Sequence, residues 1–183
     1  MLDDLKFEEI QPDHQLYLDT LVTSSSAMIG FRADLILDKD INTSWRSLTS
    51  NDQFILIDFQ KRKEFGGLYI NWFPNCWAKA FEVLTSEDSI KWEKVYSVLN
   101  NQAEQSLIRL PESEARFITI KLLKKNQAHY GMKELAILNV EAAKTLNNFI
   151  LTARQNSSSG NYPRYFSNLA SYWTVVGVNN DVK

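Results

Sequence analysis

Between Leu21 and Val140 the chain places its apolar residues in short β-like runs separated by turn formers, and this limits the folds open to it more than any other feature. The densest run is Phe54-Ile55-Leu56-Ile57-Asp58-Phe59. It alternates enough to sit in a sheet, and its density of apolar residues predicts a central strand. Other expected strands are Leu21–Ala27, Leu68–Trp72, Phe81–Ser86, Trp92–Val98, Ser106–Leu110, Arg116–Leu122 and Leu135–Val140. In Arg116–Leu122 the residues Ile118, Ile120 and Leu122 share one face, and Thr119 and Lys121 the other. Phe81 and Val83 likewise share a face, and Trp92 is expected in the core. An aromatic share of 12% with only 6 glycines suits a sandwich or barrel built from such strands. Lys61-Arg62-Lys63-Glu64 and Pro111-Glu112-Ser113-Glu114 read as loops, the first a solvated cluster of exposed cations.

Two loops carry more chemistry than a connection needs. Asp38-Lys39-Asp40-Ile41-Asn42-Thr43 can aim several oxygens at one point, and a hard cation such as Ca2+ takes six to eight oxygen ligands. The plainer reading is a polar turn capped by its own Asp and Asn side chains; it lacks the Gly and terminal Glu of an EF-hand loop. The second loop, Phe73-Pro74-Asn75-Cys76-Trp77-Ala78-Lys79, follows Trp72. An exposed Trp face stacks on the C–H face of a sugar ring while Asn, Arg or His take its hydroxyls. That reading makes Trp72, Asn75 and Trp77 candidate sugar contacts; its rival tucks Trp72 or Trp77 inward to plug the sandwich end. Lys124–Gly131 is a further contact loop, in which His129 and Tyr130 are candidates to face a ligand.

Other functions find little support. A net charge of −2 offers no basic excess for nucleic acid or anionic lipid. The single cysteine, Cys76, excludes an intrachain disulfide or a Cys-based zinc site. Two histidines, His14 and His129, are too few for a His-rich catalytic metal site. No run is long enough to span a membrane. Met1-Leu2-Asp3-Asp4-Leu5-Lys6 is acidic where a signal peptide is basic. There is no nucleophile elbow and no phosphate loop, and Asp38 and Asp40 lie too close together to flank a glycosidic bond. The sandwich itself is therefore expected to be non-catalytic.

Residues 1–20 read as a polar lead-in. In it Phe7, Ile10, Leu16 and Tyr17 are able to pack on the domain, and Pro12-Asp13-His14 forms a turn. Residues 141–183 form a C-terminal extension: a short helix near Glu141–Leu146, a strand from Ile150 to Gln155, a flexible Asn156–Asn161 linker and an apolar end. That end is either the first strand of a following domain or a segment folding back on the sandwich.

Several segments, taken in order, resemble a known family. Asp38-x-Asp40-x-x-Thr43-x-Trp45-x-Ser47 is similar to the signature of discoidin domains, also called coagulation factor 5/8 type C domains. Thr23–Ala27, Gln53–Phe59, Phe81–Asp88 with Trp92, Ala115–Ile120 and Tyr130–Leu135 resemble further family segments in the same order, over roughly residues 21–140. The resemblance, strongest to bacterial family 32 carbohydrate-binding modules, implies a galactose-binding-like jelly-roll β-sandwich of about eight antiparallel strands. It implies a structural Ca2+ held by Asp38, Asp40, Thr43 and Glu134 with the backbone carbonyl of Leu35. One departure lies in that loop: the family often has Gly after the first Asp, where this chain has Lys39, and Lys accepts φ > 0 far less readily than Gly. The resemblance also implies that the Trp72–Trp77 and Lys124–Gly131 loops share one end of the fold. The expected function is glycan binding within a larger bacterial glycan-degrading or surface protein, outside the cytoplasm and followed by another domain. The alternative is a protein–protein, inter-domain or spacer module with no sugar of its own. Lipid binding, known among the clotting-factor relatives, is disfavoured by the acidic balance.

Overall fold

Two long strands organise the molecule. In this computed structural model, which describes residues 16–49 and 52–149, the strands are β1 (Leu21–Ser24), β2 (Trp45–Arg46), β3 (Gln53–Trp72), β4 (Ala78–Ser86), β5 (Glu93–Val98), β6 (Gln105–Lys125) and β7 (Gly131–Leu138). A 3-10 turn spans Ala33–Leu37, and a short helix α1 spans Val140–Ala143. All pairings are antiparallel. The first half of β3 pairs with β1 and the second half of β6, which continues through β4 to β5. The second half of β3 pairs with β7 and the first half of β6, and β7 carries β2 at its edge. β3 and β6 thus pass from one layer of a sandwich to the other. They turn at register shifts between Asp58 and Lys63 and between Phe65 and Gly67, as bulged corners do.

The fold is the expected all-β sandwich, with a different strand count for a physical reason. Phe54–Phe59 and Leu68–Trp72 are one strand, and so are Ser106–Leu110 and Arg116–Leu122, because their pairing continues through the corner. Lys61–Glu64 and Pro111–Glu114, expected as loops, lie inside β3 and β6. Lys63 is buried rather than solvated: its ammonium donates to the carbonyls of Leu16 (3.4 Å) and Leu18 (2.9 Å) and lies 5.4 Å from the Phe59 ring centroid. Trp92 is half-buried, edge-on to Phe117 rather than within the core. Leu16 is buried and Tyr17 packs against the core, as the lead-in reading expects. The expectations at Phe7, Ile10 and Pro12–His14, and those from Ile150 onward, lie outside the described residues.

The main core lies between the layers, where alternate residues Ile55, Ile57 and Phe59 of β3 meet Ile118, Ile120 and Leu122 of β6 and Leu135 and Ile137 of β7. A second buried cluster covers the outer face of the β3–β6–β7 layer, formed by Tyr69, Leu107, Ala136 and Leu138 with Ala142, Ala143 and Phe149. The start of the C-terminal extension therefore packs onto the sandwich. Gly66 and Gly67 let it approach: a Cβ on Gly66 would stand 2.4 Å from the Ala143 Cβ, and one on Gly67 2.4 Å from the Phe149 ring.

Candidate functional site

The oxygen-rich loop leaves the 3-10 turn at Asp38 and returns to β2 at Trp45. Lys39 takes φ +63°, so the left-handed turn is made despite the side chain. The Asp38 carboxylate accepts from the Asp40 amide at 2.9 Å, and that of Asp40 from the Asn42 amide at 2.9 Å. These are the capped turns of the plainer reading, but they do not account for Thr43. Its hydroxyl lies 2.9 and 3.1 Å from the two Asp38 carboxylate oxygens, 2.9 Å from the Asp40 carbonyl and 3.4 Å from the Leu35 carbonyl. One hydroxyl carries one proton, so most of these oxygens face each other with no hydrogen between them.

Glu134 approaches the same place from β7. Its side chain is buried, and Oε1 has no hydrogen-bond partner among the described residues. Burial, and then the charges of Asp38 and Asp40, push its carboxyl up to about 8. A divalent cation answers both anomalies, because it takes oxygens without protons and stabilises a buried carboxylate. Asp38, Asp40, Thr43, Glu134 and the Leu35 carbonyl all offer oxygen, the donor type that Ca2+ takes. No three His, Cys, Asp or Glu side chains among the described residues are grouped so as to hold a metal ion.

The aromatic loop end is built differently from its sequence reading. Trp72 is not a contact surface: it is 1% exposed, its indole N–H donates to Ser106 Oγ at 2.9 Å, and it packs edge-on to Phe81. Tyr130 is likewise fully buried, and burial pushes its phenol up to about 12. For Trp72 the cause is strand alternation: Leu68, Ile70 and Trp72 share the core face of β3, while Tyr69 faces the outer cluster. Trp72 pairs with the buried Met132, across a bulge in which Lys133 is the extra residue on β7.

The three other candidates reach the surface to differing degrees. Trp77 is half-buried, packed on the core, and donates its indole N–H to the Asn101 carbonyl at 3.2 Å. Asn75 is exposed at φ +62°; its amide donates to Glu104 at 3.0 Å, and its carbonyl accepts from Asn126 at 3.1 Å. His129 is half-buried, with Nε2 3.5 Å from Cys76 Sγ. Burial, then Arg46 and Lys125, lower its pKa, which favours the neutral ring.

Arg46 was not among the sequence candidates, yet it is central to this end. Trp45 pairs with Met132 and points inward, so strand alternation turns Arg46 outward, opposite Gly131. Its guanidinium carbon lies 4.1 Å from the Phe31 ring centroid and 3.8 Å from that of Phe73. Gly131 makes room: a Cβ there would meet the Phe73 Cβ at 2.6 Å. Alternation from the buried Trp45 would have identified Arg46; its two rings come from distant loops and leave no local signal.

The F5/8 type C domain model matches residues 21–136. No curated protein matches the chain. Among solved structures, chitosan-binding module 2 of a Paenibacillus sp. IK-5 chitosanase/glucanase, in complex with chitotriose, is 22% identical at a TM-score of 0.62, covering 66% of this chain and 96% of that one. The family 32 carbohydrate-binding module of Clostridium perfringens NanJ, in complex with galactose, is 14% identical at a TM-score of 0.59, covering 67% and 95%. A GH29 fucosidase of Ruminococcus gnavus is 20% identical at a TM-score of 0.60, covering 68% of this chain but 26% of that one. At these identities the likeness is one of fold.

Proposed function

Because the chain belongs to the F5/8 type C domain family, a non-catalytic kind of domain, we propose that it is a carbohydrate-binding module. Its sugar rests on the loop end built by Phe31, Arg46, Phe73, Asn75, Trp77 and His129. One observation carries this reading: with Trp72 and Tyr130 buried, side chains from three separate loops meet at this end, Arg46 beside Phe31 and Phe73, and His129 beside Cys76. The exposed part of Trp77 offers a ring face, and His129, Asn75 and Arg46 offer hydrogen-bonding groups. The sugar-bound neighbours of the same fold support the assignment.

Ca2+ is the expected structural ion. Asp38, Asp40, Thr43, Glu134 and the Leu35 carbonyl would hold it, and when bound it ties the loop before β2 to β7. Its work is scaffolding, because Arg46 at the end of β2 hangs from the same segment. The module would serve a larger bacterial glycan-degrading or surface protein outside the cytoplasm and be followed by a further domain. A single shallow site of this kind binds weakly and depends on neighbouring modules for avidity.

Isothermal titration of the full chain against a panel of neutral and charged mono- and oligosaccharides tests this. Binding by at least one sugar, abolished by Trp77→Ala or His129→Ala in a folded protein, supports it. A folded protein that binds none of the panel refutes it. One observation favours a second reading, an inter-domain or spacer module: the outer sheet face is already occupied by Ala142, Ala143 and Phe149. That face would fix the orientation of whatever follows.

A further inference from the structure

The loop end carries a charge pattern opposite to that of the chain as a whole. Arg46, Lys125 and Lys133 gather here, and none of them belongs to an ion pair among the described residues. By contrast, Arg62 and Arg116 are matched with carboxylates, Arg62 with Glu87 and Glu114 and Arg116 with Asp58. Acids at this end include Glu104, which accepts from the Asn75 amide, and Asp52, whose charge adds to burial in raising the Tyr130 pKa. Lys125 donates to the Thr49 carbonyl. Lys133 lies 6.0 Å from the same Phe73 ring that Arg46 touches at 3.8 Å. Arg46 and Lys133 therefore lie beside one aromatic ring.

Arg46 is also held in an unusual way. Its guanidinium carbon lies about 4 Å from two ring centroids at once, that of Phe31 and that of Phe73. Its Nε donates to Ser44 Oγ at 3.3 Å, which fixes the rotation of the plane. The two terminal nitrogens, with four N–H groups between them, have no other bond among the described residues. A planar donor fork, fixed in orientation and partly stripped of water by aromatic faces, matches a planar carboxylate or one edge of a sulfate. A neutral hydroxyl would leave that charge uncompensated.

Building on the carbohydrate-binding reading, we propose that the sugar bound at this end is acidic, its carboxylate or sulfate gripped by the Arg46 fork and supported by Lys133. The shared chemistry is an anionic group on a sugar ring. A uronic acid, a sialic acid and a sulfated galactose are its possible sources.

Calorimetric titrations of the full chain distinguish them. The probes are D-galacturonate, D-glucuronate, N-acetylneuraminate and galactose 6-sulfate, with galactose, glucose and methyl galacturonate as neutral counterparts. At least one acidic sugar is expected to bind about tenfold or more tighter than its neutral counterpart, the scale of a charge-assisted bond pair. The advantage should shrink as NaCl rises from 50 to 500 mM. Arg46→Gln and Arg46→Lys should both remove most of it, the second because an ammonium lacks the fork. Lys133→Gln, in a position that needs no core repacking, should remove part of it even if the Arg46 variants fold poorly. Neutral sugars binding as well as acidic ones, or an acidic preference unchanged by Arg46→Gln and Lys133→Gln, would overturn the proposal while leaving the carbohydrate-binding reading intact. Binding of no sugar at all would sink both.

Discussion

A threonine hydroxyl can donate one hydrogen bond, and Thr43 is surrounded by more oxygens than that bond can satisfy. Thr43→Val should therefore matter more in the presence of Ca2+ than in its absence. In a thermal-shift titration, EDTA should lower the melting temperature of the parent protein and Ca2+ restore it, as expected for a ligand bound only by the folded state. Thr43→Val and Asp38→Asn should lose most of that response; a parent protein indifferent to both reagents would refute the ion. A second residue-scale test concerns Asp58, whose carboxylate takes a paired contact from Arg116 at 2.9 and 3.0 Å. That contact, ahead of the Gln60 amide, holds its pKa below the ordinary aspartate value. A depressed folded-state pKa stabilises at neutral pH, and this contribution is lost as pH falls through the folded value. Asp58→Asn should accordingly destabilise at pH 7 and have little effect near pH 2. Urea midpoints at the two values check this, and an equal loss at both would point to packing instead.

At the scale of elements, the two glycines of β3 are where the sheet yields to the C-terminal segment. Gly67→Ala would place a Cβ 2.4 Å from the Phe149 ring and 2.7 Å from the Ile108 carbonyl. The ring can shift and the strand cannot, so the cost should be about 1–3 kcal/mol. Phe149→Ala loses its own buried ring but should relieve part of the clash, so the double variant should be more stable than the two single losses predict. Strict additivity in urea unfolding would show that the ring is not the obstacle. Trp72 and Trp77 give the complementary contrast. Trp72→Ala empties a fully buried site and should cost about 3–5 kcal/mol, whereas Trp77→Ala should cost clearly less and act on sugar binding. Local pattern placed Trp72 at the end of a strand and Trp77 in the loop after it, and left open which of them turns inward. Alternation along β3 from Leu68 and Ile70 turns Trp72 into the core, whereas Trp77 sits beyond the strand end.

For the whole molecule, the folding unit extends past the matched residues 21–136. Leu16 and Lys63 tie down the lead-in, and Ala142, Ala143 and Phe149 bury Tyr69, Leu107 and Leu138. A chain ending at Asn139 should expose that outer face, melt at least several degrees lower and tend to self-associate. Equal melting temperatures by circular dichroism would show that the extension is only a passenger. Much of this architecture was legible in the sequence, because strand alternation, turn formers and an Asp-x-Asp-x-x-Thr loop act over a few residues and leave a local pattern. The all-β class, the central Phe54–Phe59 run, the buried face of β6 and the capped turn at Asp38–Asn42 are determined at that range. What the tertiary structure decided depends on partners far apart in the chain. These are the joining of two expected strands into β3 and of two into β6, the burial of Tyr130, and the approach of Phe149 to Gly67. The meeting of Arg46 with rings from loops on either side of it belongs with them. Each is set by register and bulges across paired strands, and no alternation within a single segment can encode which distant side chain it will meet.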